Sequence, residues 1–185
     1  MTNTTVRRAE RRRAHRNHWI VALSAVAAIA LVVVVAIATR GSSTDTEIVR
    51  TGETNSMGMP VIDTPGTASG TAEVDGITAT PRLWALGQVP LNIAVRPDWT
   101  FDNTGTQAVT LGEPHVQINE GCCPGALTYT GPTTLDPGQA TGLTFELSMH
   151  PGMDGAHDMV IHVPVHYADG TDATLDLAVT GDFRD

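Results

Sequence analysis

Residues 161–179 read IHVPVHYADGTDATLDLAV, and the order of apolar and polar side chains in this stretch decides the fold class. Ile161, Val163, Val165 and Tyr167 share one parity, Ala168-Asp169-Gly170 supplies a turn signal, and Leu175, Leu177 and Val179 share one parity again. Side chains alternate across a strand with a period of two, so each set marks the buried face of one strand. The same reading works upstream, for Leu143, Phe145, Leu147 and Met149 and for Ile93, Val95, Trp99 and Phe101. Turn signals recur at Asp75-Gly76, Asn103-Thr104-Gly105 and Asp136-Pro137-Gly138. Past residue 40 no apolar stripe has a helical period with caps, and Gly and Pro recur too often for an ordinary helix. The expectation for residues 71–185 is an all-β, Ig-like β-sandwich of about seven strands.

Working towards the amino terminus, residues 40–70 are rich in Gly, Ser, Thr and Pro without periodicity, which predicts a flexible, solvated linker. Residues 19–39 predict a transmembrane helix. Trp19 to Ala38 reads WIVALSAVAAIALVVVVAIA, an uncharged run of about twenty residues that matches a hydrocarbon core of roughly 30 Å. Its length favours an uncleaved anchor over a signal peptide, whose apolar region runs about 7 to 15 residues, although Ala36-Ile37-Ala38 resembles a cleavage site. No cysteine follows the run to carry a lipid. Residues 1–18 hold Arg7, Arg8, Arg11, Arg12, Arg13 and Arg16, so the positive-inside rule places this tail in the cytoplasm. The expected localisation is the cell membrane, single-pass, with the C-terminal domain extracytoplasmic and the bilayer contacted through residues 19–39.

Charge narrows the partners. All eleven basic residues are arginine, which removes lysine chemistry. Beyond Arg40, four arginines face nineteen Asp and Glu, a formal charge of −15. Such a surface repels phosphate backbones and anionic lipid, so the outer domain is expected to bind no nucleic acid, and cations are the partners its field favours.

The segments FDNTGTQAVTLGEPHVQINEGCCPG (101–125) and TLDPGQATGLTFEL (134–147) resemble a bacterial extracytoplasmic Ig-like family of unknown function, similar to the abnormal-spindle/hydin-type immunoglobulin-like module. The resemblance covers roughly residues 83–179 and implies an Ig-like fold with a paired-cysteine strand. Many members separate the two cysteines by one residue, whereas Cys122 and Cys123 are adjacent here.

Two clusters invite a chemical reading. Cys122 and Cys123 are the only cysteines, in EGCCPG, and SMHPGMDGAHDM (148–159) brings Met149, His150, Met153, His157 and Met159 close in sequence. Adjacent Cα atoms lie about 3.8 Å apart, below the roughly 4.4–6.8 Å usual for a disulfide, so a bond between the two cysteines would be strained. Thiolate, imidazole and thioether suit cuprous copper, and methionine tilts the choice away from zinc. His115 lies opposite in parity to Val116 and Ile118 and is expected to point away from the core. The expected metal site draws on His115, Cys122, Cys123, Met149, His150, Met153 and His157, with copper(I) as the ion. Plainer readings stand beside it: Met149 and Met159 continue buried faces and suit core packing. His162 and His166 are a pair on a solvated face, and Met57 and Met59 sit in the linker. His157-Asp158-Met159 is similar to the His-any-Met element of cupredoxin-like copper chaperones.

The sequence contains no GxSxG, HExxH, phosphate-cradling glycine loop or CxxC, and the chain is expected not to be an enzyme. Three functions follow. The first is a membrane-anchored extracytoplasmic binding module that holds or hands over copper(I), its partner the metal ion. The alternative is a structural or protein-interaction Ig-like module of the cell envelope, its partner another envelope protein. The third is thiol redox chemistry at the cysteine pair, which needs a lowered thiol pKa that acidic surroundings oppose.

Overall fold

A computed structural model describes residues 49–185, all within the compact unit Thr46–Asp185. The expected cytoplasmic tail and transmembrane helix lie outside the described residues, and no helix among those described is long and apolar enough to cross a membrane.

The described chain is all-β. Its first strands are β1 (Arg50–Thr54), β2 (Pro60–Ile62), β3 (Thr67–Ser69), β4 (Ala72–Val74), β5 (Ile77–Thr80), β6 (Leu83–Pro90), β7 (Ala94–Val95) and β8 (Asp98–Asn103). Then follow β9 (Val109–Leu111), β10 (His115–Glu120), β11 (Leu127–Tyr129), β12 (Thr134–Leu135), β13 (Ala140–Phe145), β14 (Leu147–Ser148), β15 (Gly155–Tyr167) and β16 (Asp172–Arg184). One sheet has the order β11-β13-β8-β5-β4, a second β12-β9-β15-β16-β6-β3 with β10 also on β15, and a third β1-β2-β7-β14.

Within residues 71–185 thirteen described strands, β4 to β16, stand where about seven were expected, because continuous apolar runs change sheets. The run from Leu143 to Met149 is cut at Glu146, where β13 leaves β8 and β14 joins β7. The neighbouring run is cut at Arg96-Pro97, between β7 and β8. The two breaks face each other: the Phe145 amide donates to the Pro97 carbonyl, and Arg96 Nε donates to Glu146 Oε2 at 3.1 Å. Corners of this kind let a strand serve two sheets while its side-chain alternation continues.

The centre is the β15–β16 hairpin. Its register pairs Met159 with Val179, Ile161 with Leu177 and Val163 with Leu175, so one face of both strands enters the core. The turn closes on Tyr167, whose amide donates to the Thr171 carbonyl, while Asp169 Oδ1 accepts from the Thr171 amide and hydroxyl. Gly170 supplies the positive φ of 87°. Trp99, Phe101, Leu143 and Phe145 of the β8–β13 pair belong to the same buried cluster. Two tyrosines tie the layers: the Tyr129 hydroxyl of β11 donates to the Gly112 carbonyl, and the Tyr167 hydroxyl of β15 donates to the Val74 carbonyl of β4.

Three short strands fall inside the stretch read as linker. β1 is exposed along its whole length and β3 likewise, so neither carries an apolar alternation to be read. Among the described residues of that region only Asn55, Met59, Val61 and Ile62 are buried.

Candidate functional site

The expected copper site is not assembled. Among the described residues, no group of three or more His, Cys, Asp or Glu is placed to hold a metal ion. The residues proposed as ligands are spent elsewhere. Met149 is 0% exposed and is part of the core, and Met153 packs against that core. His150 is half-buried in a turn in which its carbonyl accepts from the Met153 amide. His115 does lie on the outer face, as its parity requires, but its ring stacks 5.0 Å from that of His162, in the cross-strand pair His115–His162. His157 turns inward, edge-on to Phe183 at 5.0 Å. Met159 is core as well, so the His157-Asp158-Met159 element points both of its soft side chains inside. Copper(I), a metal-binding function and a metal-ion partner are therefore corrected.

Cys122 and Cys123 are free thiols, the first half-buried and the second exposed. Cys123 takes a positive φ of 57°, uncommon for a residue with a Cβ. The hydrogen bond of Cys122 to Cys123, and then burial, push the Cys122 thiol above its ordinary value. That direction opposes the activated thiolate a redox site needs.

His157 does come against the residue that precedes the cysteines. A Cβ on Gly121 would sit 2.3 Å from His157 Cδ2 and 2.8 Å from its Nε2, so the imidazole lies against this glycine, directly before the cysteines. Gly121 also has φ of 87°, which makes glycine a double requirement. His157 Nδ1 lies 3.1 Å from the Gly155 carbonyl, while the buried Nε2 has no hydrogen-bond partner among the described residues. The histidine is thus a support for the β10 exit, 5% exposed.

The remaining histidines of the outer face pair with acids. His162 Nδ1 lies 2.7 Å from Asp176 Oδ1 and its Nε2 3.3 Å from Gln117 Oε1, and His166 Nδ1 lies 2.7 Å from Asp172 Oδ1. The linker methionines diverge too, with Met59 buried and Met57 exposed.

What the sequence reading missed is the open edge of the strand that leads to the cysteines. β10 pairs antiparallel with β15 and with no other described strand, so its far edge is open. The register sets Val116 opposite Ile161 and Ile118 opposite Met159, which puts Val116 and Ile118 on the core side of the sheet. Val116 is half-buried against the core, yet Ile118 is 41% exposed. After an irregularity at Asn119, Glu120 stands opposite Asp158, two carboxylates in one cross-strand pair. β10 and β9 run along the same side of β15 and are separated by Gly112-Glu113-Pro114. The break coincides with Pro164, whose carbonyl accepts from the Gly112 amide and whose nitrogen has no hydrogen to donate. Parity alone reveals which side of a strand is apolar, but not that one edge of it has no neighbour.

No family of sequences matches this chain, and no curated protein matches it. The named family of the sequence resemblance is thus left without support, while the all-β sandwich stands on the structure. Several solved structures are similar to part of the chain. The VesB protease of Vibrio cholerae has a TM-score of 0.45 at 15% identity, over 58% of this chain and 32% of its own. PapD-like domain 7 of human CEP192 has 0.43 at 12%, over 59% and 85%, and the periplasmic chaperone SfaE has 0.44 at 12%, over 57% and 56%. This chain spans about a third of the VesB chain it resembles. At such identities and TM-scores none of those proteins' activities passes to this chain.

Proposed function

We propose that the chain is a membrane-anchored interaction module of the cell envelope, non-catalytic and extracytoplasmic, that docks another envelope protein through the open edge of β10. The observation that carries the reading is Ile118, an aliphatic side chain on the core side of the sheet that the domain itself leaves 41% exposed. An edge strand presents a row of unpaired amides and carbonyls, and strand addition satisfies them while alternate side chains select the partner. The anchoring and the side of the membrane rest on the apolar run 19–39 and on the arginines before it.

A photo-crosslinking side chain at position 118 of the full-length chain, in intact cells, tests this. A discrete protein adduct is expected at 118 and not at Thr128, an exposed residue of β11. Equal adducts at both positions, or none at 118, would contradict docking through β10.

A further inference from the structure

We infer that the segment docking on β10 is an extended, cationic strand of another protein, with small or branched apolar residues at alternate positions and arginine or lysine between them. This rests on the docking reading and adds the chemistry of the partner.

Three features select it. The open backbone edge requires an extended chain, since only a strand satisfies successive main-chain groups at the spacing of a sheet. Val116 and Ile118 face the core side, so the incoming strand must put an apolar side chain beside each, two residues apart. The outer side is acidic. Glu120 and Asp158 face one another across the pair, where like charges destabilise, and Glu113 precedes the strand. None of the ion pairs among the described residues involves these three carboxylates.

The rest of the described chain supplies little competing charge. Residues 49–185 hold four arginines against seventeen Asp and Glu. Arg96 is held by Glu53 and Glu146, and Arg184 by Asp182. A cation on the incoming strand relieves the Glu120–Asp158 repulsion, and the field of the whole domain speeds its approach. The same field disfavours a second copy of this chain on the edge, because two equally acidic surfaces would meet.

The test uses the full-length chain in mild detergent and three short synthetic peptides of alternating valine pattern: one with arginine at the intervening positions, one with glutamine there, and the arginine peptide N-methylated along its pairing edge. The arginine peptide is expected to bind and to slow exchange of the β10 amides that point away from β15. The glutamine peptide is expected to bind about five- to tenfold more weakly, as two partly exposed ion pairs imply. Glu120→Gln with Asp158→Asn should bring the arginine peptide down to the glutamine level, and added salt should do the same. Equal binding of both peptides, with loss on N-methylation, would overturn the cationic inference and leave the docking edge. Undiminished binding of the N-methylated peptide, or no binding by any of the three, would overturn the docking edge itself.

Discussion

β16 and β10 both pair with β15, and both extend its apolar face, yet they end in opposite environments. Leu175, Leu177 and Val179 of β16 are buried, opposite Val163, Ile161 and Met159. On the other side of β15, Ile118 is aligned with the same Met159 and remains exposed. β16 has β6 beyond it, in parallel register, whereas no described strand lies beyond β10. Burial of a strand residue is thus set by the next strand and the opposite layer more than by its own parity. On one side of β15 the sheet continues through β16 to β6, and on the other through β9 to β12, while β10 has no described partner but β15.

Substitutions can break that contrast at its strongest point. Leu177→Ala deletes buried methyl groups between both layers and should cost about 2–5 kcal/mol in denaturant unfolding followed by tryptophan fluorescence. A cost near zero would mean that the hairpin face is not the packed centre. At the exit of β10, Gly121→Ala forces a Cβ into the His157 ring at a positive φ and should cost about 1–3 kcal/mol. Full stability in this variant would show that the imidazole does not brace the strand.

Tyr129 sharpens the comparison at the joint between layers. Tyr129→Phe removes the hydrogen bond to Gly112 and should cost about 1 kcal/mol. Burial pushes the Tyr129 phenol up to about 12 in the folded state. An unfolded phenol titrates near about 10, so the stabilisation is present below that pH and is lost as pH rises towards the folded value. The Phe variant should lose less stability than the parent across that alkaline window, and parallel curves would contradict the buried phenol. The smallest effect belongs to the edge: Ile118→Ala should change stability by no more than about 0.5 kcal/mol, since the residue is already 41% exposed and no described strand packs beyond it. A loss comparable to that of Leu177→Ala would show β10 to be covered.

The all-β class was legible because alternation at 143–149 and 159–179 is strong and the turn at Asp169-Gly170 is explicit. Strand number was not, because Glu146 and Arg96-Pro97 interrupt pairing without interrupting parity. β1 and β3 escaped notice because a solvated strand of Thr, Gly and Ser has the composition of a linker. The candidate ligands failed for a related reason. His157 and Met159 share the inward parity of Ile161, which already indicated core packing, and Met149 is likewise spent in the core, so nearness in sequence between positions 149 and 159 yields packing and not a ligand set. The outward direction of His115 was legible from Val116 and Ile118, but its neighbour His162 arrives from a strand more than forty residues away, which local pattern cannot supply.

The most direct test of the open edge is amide hydrogen exchange along residues 115–120 of the full-length chain alone, compared with residues 172–184. The account predicts alternation in β10, with amides bonded to β15 protected and the intervening ones exchanging rapidly, beside continuous protection through the centre of β16. Uniform protection along β10 would mean that its edge is already covered, and would contradict the account.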